Sequence, residues 1–213
     1  MRLSLILSTS LLALCMPLHA APQTFDLTDP KKVNHIAFHL DAPLEAISGM
    51  ANDVRGEVHF DPANPSSVRG RVIAPVAKMT VPNDQMQRAL HGERWLQAEK
   101  HPEITFEVTA AKLAAESTAD RSQLLVTGQL QIRGVSREVT APLTLAYLPG
   151  RLAERSGPGM PLPPGDLLIL RSRFTVKLSD YGIDRGPSAL RVSDEVELTF
   201  SLAAMAPKPT APL

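Results

Sequence analysis

The sequence predicts an all-β domain of antiparallel strands, on three observations. Apolar and polar residues alternate with a period of two through most of residues 24–204, the spacing of a strand with one buried face. The alternating runs are joined by short turn-forming segments, too short for the crossovers that parallel strands need. A single stretch, residues 83–100, carries helical spacing instead. Eight or nine strands in one chain form a sandwich or close into a barrel, and periodicity leaves both open.

Taken in order, Ile36, Phe38 and Leu40 alternate with His35, Ala37 and His39. Val54, Gly56, Val58 and Phe60 form the next face, and Asp61-Pro62-Ala63-Asn64-Pro65 turns the chain. Val68, Gly70, Val72, Ala74 and Val76 follow, then Ile104, Phe106 and Val108. Val126, Gly128, Leu130 and Ile132 lead through Arg133-Gly134-Val135-Ser136, where Gly134 is free to take a positive φ, into Val139, Ala141, Leu143, Leu145 and Tyr147. Pro142 in that run predicts an edge or a bulge. Leu168, Leu170, Ser172, Phe174, Val176 and Leu178 make a long strand, and Val196, Leu198, Phe200 and Leu202 the last.

In the exceptional stretch, Met86, Ala89, Leu90 and Leu96 fall at helical spacing beside Trp95. Asp84 is placed to cap its start with Gln87 answering, and Gly92 predicts a short helix followed by an irregular turn over an open end of the sheet. Arg151 to Gly165, with four prolines, reads as a long irregular loop, either a lid or a surface excursion.

The ends carry their own signals. Met1-Arg2, an apolar run from Leu3 to about Cys15 and the small residues Ala20-Ala21 describe a cleavable secretory signal over residues 1–20. That run is well under the ~20 residues of a membrane span. Leu14 stands where an acylated Cys15 would need a small residue, so no stable membrane anchor is expected. Cleavage would leave a mature chain without cysteine, in the periplasm, with its domain over residues 21–204 and a flexible proline-rich tail at 205–213.

Composition excludes several partners. The 22 basic and 22 acidic residues are mixed along the chain, and aromatic content is 4%. A nucleic-acid binder would show a basic stripe or a stacking platform, so nucleic acid is not an expected partner. Signatures of enzymes are sparse: there is no glycine-rich phosphate loop, Gly-x-Ser-x-Gly elbow or His-Glu-x-x-His helix. His91-Gly92-Glu93 mimics part of a zinc deaminase motif, but the cysteines are missing. His35 and His39 on a strand lie about 13 Å apart at ~3.3 Å per residue, too far to share an ion. Asp180, Asp194 and Glu195 read either as rim carboxylates or as solvated charges. The expectation is a protein that is not an enzyme and holds no metal or cofactor.

Several segments together resemble the YceI-like family of bacterial exported proteins. Val126 to Thr140 (VTGQLQIRGVSREVT) looks like that family's central hairpin, and Gly56-Glu57-Val58-His59-Phe60-Asp61-Pro62 like its second-strand turn. Trp95 to Phe106 (WLQAEKHPEITF) and Ser179-Asp180-Tyr181-Gly182-Ile183 resemble two further segments, in the family's order. The helix opens Asn83-Asp84-Gln85-Met86-Gln87-Arg88, where family members often have Arg-Asp-x-His-Leu, and Phe25 alone represents the family's first-strand aromatic.

The resemblance implies a lipocalin-like, extended antiparallel β-barrel with one short helix, holding a polyisoprenoid or a quinone-like long-chain lipid in its interior. The inward faces then supply the lining: Phe38, Val58, Phe60, Val72, Met86, Leu90, Trp95, Phe106, Leu130, Leu145, Leu170, Phe174 and Phe200. Modest inward residues and the glycines 56, 70 and 128 would leave room for such a chain; the glycines equally suit bends at barrel corners. Burying a methylene yields ~0.8 kcal/mol, so twenty give roughly 16 kcal/mol, near the ceiling of non-covalent affinity. A carrier that releases its cargo is therefore expected to fit loosely. The alternative expectation is a non-catalytic interaction or stress-protective module whose barrel is filled by side chains; a weaker one is an enzyme using the rim carboxylates.

Overall fold

A computed structural model describes residues 22–114, 117–118 and 121–208. The expected signal segment with Cys15, and residues 209–213 of the expected tail, lie outside the described residues.

Eleven strands make one antiparallel sheet: β1 (Gln23–Asp26), β2 (Ile36–Asp41), β3 (Ala46–Ala51), β4 (Arg55–Phe60), β5 (Arg69–Pro75), β6 (Met79–Thr80), β7 (Glu103–Leu113), β8 (Arg121–Ile132), β9 (Val135–Leu148), β10 (Gly165–Lys177) and β11 (Glu195–Pro207). Their order is β1-β4-β5-β7-β8-β9-β10-β11-β2-β3-β6, and β11 also pairs with β1. β1 and β2 both lie along β11, β3 and β4 along β2 and β1, and β6 and β5 along β3 and β4. Three staves are thus broken in two, and the eleven strands amount to an eight-stranded antiparallel barrel. Of sandwich and barrel, the chain takes the barrel, which leaves no edge along the closing seam.

The breaks at residues 27–35, 52–54 and 76–78 sit side by side, around a small polar cleft that includes Asn34, Asp53 and Lys78. Asn34 replaces the missing ladder. Its Nδ2 donates to the carbonyls of Leu27 and Ala203, 2.9 and 2.8 Å away, and its Oδ1 accepts from the Ala203 N–H at 2.9 Å. A buried side-chain amide thereby supplies the donor and acceptor that a strand residue would have offered.

The central hairpin follows its sequence. Arg133 and Gly134 both take positive φ, 50° and 75°, the geometry of a two-residue turn matched to strand twist. Pro142 makes a local edge. Its carbonyl faces β10 and accepts from the Ser172 hydroxyl, so the side without an N–H also faces β10. The β9–β8 ladder runs past it intact, whereas the β9–β10 ladder stops at Thr144↔Arg171.

One expectation is corrected, and the loop left open between a lid and a surface excursion is resolved. The strand β11 extends to Pro207 with Met205 and Ala206 buried, so the tail cannot begin at 205. Ala206 packs into the barrel interior, whereas Met205 points outward and is covered where solvent would otherwise meet it. The covering comes from loop 151–164, which is a strap and not a lid. Its Leu152 and Leu162 pack on the outward-facing Leu167, Ile169, Ala203 and Met205. Arg155 fastens it, donating from both terminal nitrogens to the Asp29 carboxylate at 3.0 and 3.1 Å.

The barrel interior holds two clusters. One gathers Phe25, Phe60, Leu124, Leu145 and Leu168 around the β1 end; the other gathers Phe38, Leu40, Met79, Leu96, Tyr181 and Ile183 at the opposite end. Among the described residues no helix is long and apolar enough to cross a membrane.

Candidate functional site

The two ends of the barrel are filled differently. At the β1 end, Phe25 meets Phe60 and Tyr147 edge-on, with ring centroids 6.5 and 6.2 Å apart, and Phe60 and Tyr147 are 5.8 Å apart. Three aromatic rings plug the bore. The Tyr147 hydroxyl donates to Asp166, which also accepts from the Gln23 side chain and the Gly150 N–H. Burial and then the neighbouring Asp166 carboxylate push the Tyr147 hydroxyl up to about 12. Burial alone would raise Asp166, but the Gly150, Gln23 and Tyr147 hydrogen bonds and the Lys208 charge hold it below the ordinary carboxylate range.

Past this plug the bore is hollow. A cavity of about 590 Å³ runs from Val58, Val68 and Val126 through Val72, Phe106, Leu170 and Phe174 to Met86, Leu90 and Trp95. Its volume falls within the ~300–1,000 Å³ typical of ligand pockets. Exposed Asn83, Gln85, Ala89 and Arg191 among the lining residues mark its mouth. The helix α1 (Asp84–His91), the turn before β3 and the loop 186–192 surround that mouth.

Inward glycines do not create this space. A Cβ at Gly128 would meet the Phe106 ring at 2.6 Å and the Glu107 carbonyl at 2.4 Å. At Gly56, φ is +127° and a Cβ would fall 1.9 Å from the Arg71 carbonyl oxygen. Close approach of strand and ring requires both glycines, and valines at inward positions leave the room.

Helix α1 is held over the bore by its ends. Asn83, not Asp84, is the N-cap: its Oδ1 accepts from the N–H groups of Gln85 and Met86 at 2.8 and 3.2 Å. Gln87 does not complete a capping box, because it lies four residues past the cap. It accepts instead from the Val81 N–H and donates to the Met79 carbonyl, tying the helix to the end of β6. The helix ends at His91, with the Gly92 N–H bonded to the Ala89 carbonyl.

Of the residues expected on the lining, Phe38, Val58, Val72, Met86, Leu90, Trp95, Phe106, Leu130, Leu170, Phe174 and Phe200 are brought together around the cavity. Phe60 and Leu145 are not; both belong to the plugged end. Alternation identifies the inward face of a strand and says nothing of height along the barrel. The lining also includes Leu27, Ile47, Leu96 and Ile183, and at the mouth Glu45, Asn83, Gln85, Ser188 and Arg191. Gln85 is a polar residue of α1 and the other mouth residues lie in turns and loops, so periodicity carries no signal for them; Leu27 and Ile47 sit beside or in broken staves too short to show one.

The remaining candidates do not converge. His35 Nδ1 pairs with the Val33 carbonyl and His39 Nδ1 with the Ser48 hydroxyl, both on the exposed outer surface. Asp194 accepts from the Ser179 hydroxyl and N–H and lies 3.6 Å from Arg185; these contacts outweigh burial and hold its carboxyl low. Asp180 and Glu195 are exposed, and none of the three lines the cavity. Among the described residues no group of three or more His, Cys, Asp or Glu is placed to hold a metal ion.

The YceI-like domain matches residues 28–204 of this sequence, most of its length. The chain belongs to the YceI-like family. Curated members include a UPF0312 protein of Ectopseudomonas mendocina, 28% identical over 80% of this chain and 78% of its own. Another, from Pseudomonas aeruginosa, is 31% identical over 72% of this chain and 71% of its own. Among solved structures, Burkholderia cenocepacia BcnA matches with TM-score 0.63 and 22% identity, covering 80% of this chain and 95% of that one. A polyisoprenoid binding domain from Saccharophagus degradans, implicated in plant cell wall breakdown, matches with TM-score 0.60 and 14% identity over 86% and 98%. At these identities the structural likeness to the YceI-like barrels is one of fold.

Proposed function

We propose that this protein is a non-enzymatic periplasmic carrier that shelters a long-chain apolar lipid, an isoprenoid or quinone-like molecule, in the hollow half of its barrel. The observation that carries the reading is the cavity of about 590 Å³, apolar along its walls, closed by aromatic rings at one end and open beside α1 at the other. Membership of the YceI-like family and a fold neighbour described as a polyisoprenoid binding domain support it. A barrel filled by its own side chains would offer no such volume. Carboxylates placed for acid–base work would have to face the bore, and Asp180, Asp194 and Glu195 do not. The secretory signal at residues 1–20 supports delivery across the inner membrane, where a long apolar chain needs a host in water.

Native mass spectrometry of protein purified without detergent is the test. The expected result is co-purified prenyl lipid, or uptake of a prenyl alcohol added in slight excess. Repeated recovery of empty protein that also refuses added prenyl chains would overturn the reading.

A further inference from the structure

Two leucines stand exposed at the mouth of the cavity. Leu44, in the turn before β3, keeps 67% of its surface in water, and Leu190, in the loop 186–192, keeps 62%. They are not loose ends. The Leu44 N–H donates to the Leu190 carbonyl at 3.0 Å, so the two segments are joined at this point. Each leucine is next in sequence to a residue of the cavity wall, Glu45 and Arg191. The loop carrying Leu190 is itself secured, since Arg185 donates to the Val192 carbonyl and lies 3.6 Å from Asp194.

We infer that Leu44 and Leu190 form a docking rim that dips into the interface of a zwitterionic phospholipid bilayer, setting the cavity mouth against the source of the cargo. The inference rests on the carrier reading above for its purpose. Three features select this occupant. Two leucines bury far less than the ~800 Å² per partner that a stable protein interface needs, so a second copy is not accommodated by this patch. Glu45 and Arg191, the charged residues among those lining the mouth, cancel, which suits a zwitterionic surface and gives no attraction to an anionic one. So small an apolar wedge also gives brief, reversible contact, which a carrier that must leave the membrane requires.

The test uses the full mature protein and a Leu44→Ser/Leu190→Ser variant. Both positions are exposed, so the fold is expected to persist, and circular dichroism checks it. Phosphatidylcholine vesicles are loaded with a fluorescent prenyl alcohol, and its transfer to protein is timed; the same compound is also added directly from water. Extraction from vesicles should slow by at least about tenfold in the variant, a fraction of the full burial of two leucines because they enter only the interface, while direct uptake stays unchanged. Equal extraction rates would overturn the rim. A cargo-free measurement separates the two readings: Leu190→Trp should acquire quenching by brominated lipid beyond that of the native protein. Quenching without prenyl uptake leaves the rim standing and removes the carrier function. Absence of quenching together with unchanged extraction refutes the rim, as does a self-association that the leucine substitutions abolish.

Discussion

The two halves of the barrel are built from the same alternating strands and differ in what stands on the inward positions. Toward β1 those positions hold Phe25, Phe60, Leu124, Leu145 and Tyr147, and the bore closes. Past these rings they hold Val58, Val126, Val72 and Ala74 among the larger groups, and the bore stays open toward α1. The filled half therefore carries stability and the hollow half carries capacity. A single sheet divides the two tasks by side-chain volume alone.

The largest expected effect lies in the plug. Phe25→Ala removes a fully buried ring and should cost about 3–5 kcal/mol in chemical denaturation, whereas Phe200→Ala, on the cavity wall, should cost well under half of that. Equal losses would erase the distinction between the halves.

The next effect is outside the bore. Arg155→Met leaves Asp29 buried without its partner and should cost about 2–3 kcal/mol without altering prenyl uptake. Burial would raise the Asp29 carboxyl, yet Arg155 and the Lys31 and Val33 N–H groups outweigh it and hold it low. Such a group stabilises the fold above the unfolded carboxylate value of ~3.9 and loses that contribution as pH falls through its lower folded value. Thermal melts from pH 7 to pH 2 should show this loss in the native protein, diminished in Asp29→Asn.

The smallest effect on folding should have a clear effect on binding. Val126→Phe places a ring in the deep end of the cavity; prenyl affinity should fall about tenfold, or ~1.4 kcal/mol, with the melting temperature near that of the native protein. Leu145→Phe in the plug should do the reverse, costing about 1–3 kcal/mol by overpacking and leaving affinity intact. Isothermal titration and thermal melts on the same samples decide it.

Much of this was legible in the residues. Period-two alternation marks the inward faces of eight strands, and the helix and its Gly92 stop are written in 83–100. The broken staves were harder. β3 reads Ala-Ile-Ser-Gly-Met-Ala, with Ile47 followed only by the small Gly49 and Ala51 on its inward face, where Phe38 lies over Gly49, so no sustained apolar pattern announces it. The strap left a trace in Leu167 to Leu170 and in Leu202 to Ala206, where both faces are apolar. Such runs mean burial on both sides, but not by what. Which inward residues fill the bore and which line a space depends on height along the axis, set by register and not by composition.

Asn34 also constrains the order in which the chain assembles. Its amide joins the first stave to Ala203, 169 residues later, so the closing seam forms between the two ends of the domain. Until β11 exists, β1 and β10 both present unpaired backbone, and a chain cut short before Ala203 keeps two open edges that invite aggregation. The seam pays the loop-closure entropy of almost the whole domain, which places it among the slow, non-local folding events of milliseconds to seconds. Hydrogen exchange during refolding should therefore protect the β8–β9 hairpin first and the Ala203 amide last.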